Sequence, residues 1–108
     1  MKIPKRFKLF GATVNVVFDA NIHNEHDSVG RVSFRRNLIR LLPDSPTIPR
    51  PQELIEQTFC HELVHLIFFS ASFKIGDKYA HDNEDVVELV ANLLHQALVT
   101  AEYEEDSI

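Results

Sequence analysis

A chain of 108 residues, 44% hydrophobic and 25% charged, has the composition of one ordinary globular domain, residues 1–108. The lone Cys60 can form no internal bridge, which excludes the disulfide-rich secreted class and points to a reducing setting. No segment approaches the roughly 20 apolar residues of a membrane span and the first ten lack a signal peptide's apolar stretch, so a soluble cytoplasmic protein is expected. The net charge of −5 hides an asymmetry: residues 1–50 carry nine Lys/Arg against four Asp/Glu, a balance of +5, and residues 51–108 carry two against twelve, a balance of −10. The basic residues alternate with apolar ones and do not cluster with aromatics on a helix. A solvated sheet face is expected from them, and neither nucleic acid nor a membrane is an expected partner.

In chain order, Phe7 to Phe18 is rich in β-branched and aromatic residues, with Val14, Val16 and Phe18 on one parity and Gly11 as a break, which predicts a bent strand or a short hairpin. Asp19 to Ser28 is polar and predicts a loop. Arg31 to Phe34 and Leu38 to Leu42 read as two strands joined across Arg35, Arg36 and Asn37, the last of which tolerates positive φ. A small antiparallel sheet of about three strands is expected. Pro43, Pro46, Pro49 and Pro51 then forbid a continuing strand, and Pro51 suits the first turn of a helix.

That helix is predicted from Gln52 to about Phe69. From Leu63 onward it is apolar nearly all round except at His65, as a helix buried in the middle of the domain would be. After a polar connection, a second helix is predicted from about Asn83 to Tyr103, with Asp82 as N-cap. Its apolar stripe is Val86, Val87, Val90, Leu93, Leu94, Ala97, Leu98 and Ala101. The acidic end, Glu102 to Asp106, is expected to fray.

The buried helix contains His61-Glu62-Leu63-Val64-His65, the HExxH pattern. Residues four apart lie one turn up and about 40° round, so both imidazoles project from one face and can close on a single ion. Glu62 points further round, away from easy ligation but toward the proton of a zinc-bound water. Two histidines and a glutamate in the most apolar helix would each cost about 1 to 3 kcal/mol or more if left unpaired, and a metal offsets that cost directly.

A catalytic zinc takes three protein ligands and leaves a fourth position open. Glu88 is the best candidate for the third. His65 lies just before the end of the first helix and Glu88 just after the start of the second, so an antiparallel pair brings them level. Glu84, Glu88, Ala91 and His95 form one stripe, and small Ala91 permits close approach. His81 is the rival ligand. Phe68 and Ala71 occupy the positions at which a metzincin carries Gly and a third His, which excludes that arrangement. Tyr79 is a candidate oxyanion donor; His95 reads first as an exposed or packed histidine, with a place near the metal as the alternative. Cys60 reads as a small buried hydrophobe, and His23 with His26 as a surface cluster beside Glu25 and Asp27.

Over residues 53–98 the sequence resembles the small HExxH proteins of phages and bacteria grouped with ImmA/IrrE-type metallopeptidases, of the gluzincin kind. Thr58-Phe59-Cys60-His61-Glu62-Leu63-Val64-His65-Leu66-Ile67 looks like that family's active-site helix. The run from His81 to Asn92 is similar to its next helix, in which a Glu three residues before an Ala-Asn pair is the third zinc ligand. The resemblance implies His61, His65 and Glu88 as ligands and Glu62 as catalytic base.

The expected fold is α+β, a minimal zincin in which a small antiparallel sheet packs on a buried active-site helix with a second helix antiparallel to it. The expected function is a zinc-dependent metalloendopeptidase, with Glu62 as general base and a sheet edge strand holding an extended peptide of a protein substrate. The alternative is a non-catalytic zinc-binding module of phage or mobile-element origin that regulates a partner. An intact Glu62 argues against it, because a structural site has no use for a base.

Overall fold

Phe10 and Gly11 both have positive φ, 50° and 80°, as a two-residue type I′ turn requires, and its twist matches that of the strands it joins. In this computed structural model, which describes residues 1–75 and 83–104, the turn closes an antiparallel hairpin of β1 (Arg6–Leu9) and β2 (Ala12–Phe18), with Leu9 opposite Ala12. The break expected at Gly11 is thus a hairpin.

The polar stretch after β2, expected as a loop, contains the short helix α1 (Ile22–His26). Asp19 Oδ1 accepts from the Asn21 N–H at 2.9 Å, and Asp27, at φ 51°, ends the helix. Ile22 is fully buried; a single apolar anchor fixes a segment whose composition is otherwise that of a loop.

β3 (Gly30–Ser33) and β4 (Leu38–Leu41) form the second hairpin, with Asn37 in the left-handed region at φ 49°. β4 lies between β3 and β2, in the order β1-β2-β4-β3. Its pairing with β2 is parallel, from Asn15 opposite Leu38 to Phe18 opposite Leu41. The α+β class is as expected, while the sheet is four-stranded and mixed where three antiparallel strands were expected. Alternation says which face of a strand is buried and nothing about its direction. Val14 and Val16 of β2 share their face with Ile39 and Leu41 of β4, and the passage through α1 and β3 brings the chain back in the same sense.

The Pro51 carbonyl accepts from the N–H groups of Leu54 and Ile55 at 3.0 and 3.1 Å, which opens α2 (Gln52–Ile75), six residues longer than expected. α3 (Glu84–Thr100) is capped by Asn83, whose side chain accepts from the Val86 N–H at 3.2 Å; Asp82, the expected cap, lies outside the described residues. α3 ends at Thr100, short of Tyr103, and residues 101–104 are exposed. α2 packs on β3 and β4 on one side and on α3 on the other, which is why its apolar residues run all round. Ile55, Phe59, Cys60, Val64 and Leu66 join the sheet residues and Val87 and Ala91 of α3 in one core. Phe7 meets Phe59 edge to face, and Phe34 stacks on Phe69 with centroids 4.2 Å apart.

The stripe expected on α3 is only partly buried. Val87, Ala91 and His95 are buried and Val90 and Leu94 half-buried, whereas Val86, Leu93 and Leu98 are exposed. Among the described residues only the face turned to α2 has a partner. The expected polar stripe of Glu84, Glu88, Ala91 and His95 is the one that faces it.

Candidate metal centre

α2 and α3 meet along a polar seam whose contacts step in opposite senses: Glu56 with His95, His61 with Glu88, His65 with Glu84. The antiparallel sense is the one expected, but the register is shifted by one turn: His65, expected level with Glu88, meets Glu84 instead, and Glu88 meets His61. Ala91, 2% exposed, lets the helices close. His61 Nε2 and His65 Nε2 are 3.2 Å apart. Glu84 places Oε2 3.1 Å from the first and Oε1 3.0 Å from the second. Ligand atoms about 2.0 to 2.1 Å from one zinc at tetrahedral angles are about 3.3 Å from each other. The two imidazole nitrogens match that spacing, while each meets a different oxygen of Glu84. One ligand atom from each of the three side chains lies within 4.8 Å of the others, a group that could hold a metal ion, and imidazoles with a carboxylate are a donor set that suits zinc.

Glu88 was expected to complete this set. Its Oε2 is 2.9 Å from Nδ1 of His61, on the other edge of the ring. In this arrangement Glu88 accepts the Nδ1 proton, which fixes the tautomer that leaves Nε2 free to ligate. Glu84, part of the predicted stripe but given no role, is the carboxylate at both Nε2 atoms. Its exposure, like that of Glu88, leaves this side of the centre open to solvent.

Glu62 is buried, 7% exposed. Burial pushes its carboxyl above the usual range, the Glu84 charge adds to that, and His61, His65 and Arg31 pull the other way. Its wall is β3. A Cβ added to Gly30 would collide with the Thr58 side chain and stand 3.3 Å from Glu62 Cγ, so glycine is what lets the edge strand approach the helix here. A cavity of about 340 Å³, lined among others by Gly30, Arg50, Thr58, His61, Glu62 and Glu88, opens on one flank of Glu62. A second, of about 260 Å³, is lined by Arg31, Val32, Glu62 and His65 on the other.

Of the other candidates, Cys60 is fully buried and its thiol is pushed up to about 11 by burial, as a small hydrophobe and not a ligand. His95 does not reach the metal-binding face: its Nε2 is 2.9 Å from Glu56 Oε1. Glu56 also takes the Met1 ammonium at 3.3 Å. His23 and His26 lie on the surface beside Asp27 and Glu25, each pair 3.8 Å apart. His81 and Tyr79 lie outside the described residues. Sequence reasoning missed Glu56 and Arg50, both buried. Glu56 lies in the mixed polar opening of α2, where local sequence gives no signal of its burial.

No family model matches the chain, and no curated protein or solved structure matches it either. Among the described residues no helix is long and apolar enough to cross a membrane.

Proposed function

We propose that this chain is a cytoplasmic zinc-dependent metalloendopeptidase of the ImmA/IrrE type, acting on a loop or tail of a protein substrate. The observation that carries the reading is the triangle of His61 Nε2, His65 Nε2 and the Glu84 carboxylate beside a buried glutamate, at the edge of a sheet. His61, His65 and a carboxylate of α3 would hold the metal, Glu84 in the arrangement described and Glu88 in the one the motif resemblance implies. Bound there, zinc supplies a Lewis acid that polarises the scissile carbonyl and acidifies water.

The chain's own residues do the rest. Glu62 accepts the proton of the attacking water and returns it to the leaving amine. Among the described residues β3 is the last strand of its sheet, paired on one side only, by β4. Its free edge offers backbone groups to an extended peptide, and Gly30 sets that edge beside Glu62.

The test is metal analysis of the purified protein together with a peptide-library digest, on the natural chain and on Glu62→Gln. One zinc per chain is expected in both proteins, with hydrolysis in the first and a loss of about 10² to 10⁴ in rate in the second. Equal cleavage by both would overturn the mechanism. A regulatory module predicts zinc without hydrolysis in either.

A further inference from the structure

Arg50 is 9% exposed and lines the cavity that also holds His61, Glu62 and Glu88. Its Nη2 donates to Thr58 Oγ1 at 2.6 Å and to the Leu54 carbonyl at 3.5 Å. Its Nε is buried with no hydrogen-bond partner. No carboxylate among the described residues forms an ion pair with the guanidinium: Asp44 accepts at 2.6 Å from the Arg50 backbone N–H, and Asp19 is taken by Arg40. A buried cation without a counter-charge is costly, and a place just before the first turn of a helix, where the dipole is positive, adds to the cost. The cost makes sense if an anion arrives with the ligand, since arginine presents a planar fork that matches a carboxylate.

We propose that Arg50 is the substrate-carboxylate clamp of this site: it binds an acidic side chain or the free C-terminus of a peptide lying along β3, about two residues from the bond that is cut. This rests on the metallopeptidase reading. The spacing follows from the scaffold. Thr58, which holds the guanidinium, precedes His61 and Glu62 by three and four residues, about 5 to 6 Å along α2. An extended peptide covers that distance in about two residues. The chain from Gly30, beside Thr58 and Glu62, to Phe34, stacked on Phe69, runs in the same sense as α2. A strand added antiparallel to β3 therefore has its C-terminal side at Arg50.

The experiment measures binding by fluorescence anisotropy to zinc-supplied Glu62→Gln protein, which holds peptides without cutting them. The probes are hexapeptides of one random core, with Glu or Gln placed at each position in turn and a free or amidated C-terminus. One carboxylate position is expected to bind about 10- to 100-fold tighter than its neutral counterpart, and the two arms tell a side chain from a terminus. Arg50→Gln is expected to abolish that difference, and Arg50→Lys to keep part of it. In protein that retains Arg50, the Arg50 Nε–H resonance is expected to move with the acidic peptide and not with its amide, a readout independent of whether the variants fold. Equal binding of acidic and neutral peptides, no binding at millimolar peptide, or a preference that survives in Arg50→Gln would overturn the clamp. Cleavage by the natural chain without an acidic preference overturns the clamp alone. An Arg50-dependent preference without any cleavage overturns the peptidase reading alone.

Discussion

Two carboxylates one turn apart on α3 face the same pair of imidazoles, and their roles differ by which ring edge each meets. Glu84 stands at both Nε2 atoms and Glu88 at Nδ1 of His61. Glu84→Gln is therefore expected to weaken zinc binding by more than Glu88→Gln, whose loss is expected to be about 10- to 100-fold, the usual effect of removing an orienting partner. Competition with a chromophoric chelator measures both, and the reverse order would give the ligand role to Glu88. Further along the seam, the buried His95–Glu56 pair carries a stability prediction. His95→Ala leaves Glu56 with the Met1 ammonium and the Gln52 side chain and is expected to cost about 1 to 3 kcal/mol in urea denaturation. The bond to His95 is the largest cause that holds the Glu56 carboxyl below its ordinary value of about 4.5. Its contribution is thus present above that value and lost as pH falls through the lowered one. Acid unfolding of the natural chain is expected to show this loss, and His95→Ala to show less of it. Neither Glu56 nor Arg50 was legible as a functional residue, because an acid on a helix and a base between two prolines look solvated until the partner, or its absence, is known from the fold.

At the scale of elements, the motif helix and the polar stripe of α3 were legible because both rest on helical periodicity, which local sequence carries. The parallel pairing of β2 with β4 was not, since Val14, Val16, Ile39 and Leu41 alternate alike in either direction. Nor was the bare outer face of α3. Val86, Leu89 and Leu93 have the character of core residues, and only the absence of a second packing layer among the described elements leaves them exposed. Gly30 looked like punctuation, yet it sets the distance between β3 and α2. Gly30→Ala is expected to destabilise the fold by about 1 to 3 kcal/mol, because Thr58 and Glu62 must shift to admit the methyl group. It is also expected to lower any peptidase rate by displacing the edge strand from Glu62. Denaturation midpoints and a kinetic assay of the same protein check both halves.

For the molecule as a whole, the cluster joins α3 to α2 at two successive turns, so under the proposed function metal binding is coupled to folding. Zinc at about 100 times its dissociation constant adds about 2.7 kcal/mol, which in a domain of this size raises the melting temperature by about 10 to 20 °C. Calorimetry with and without zinc is expected to show that shift in the natural chain and its disappearance in His61→Ala. The order of elements has a consequence for biosynthesis. All four strands precede α2 in the chain, so Val14, Val16, Ile39 and Leu41 have no helix to cover them until α2 has been made. The surplus of five positive charges in residues 1–50 makes neighbouring nascent chains repel one another during that interval. Residues 51–108, with a balance of −10, reverse that sign, so repulsion between basic halves is confined to the interval before the acidic half is made.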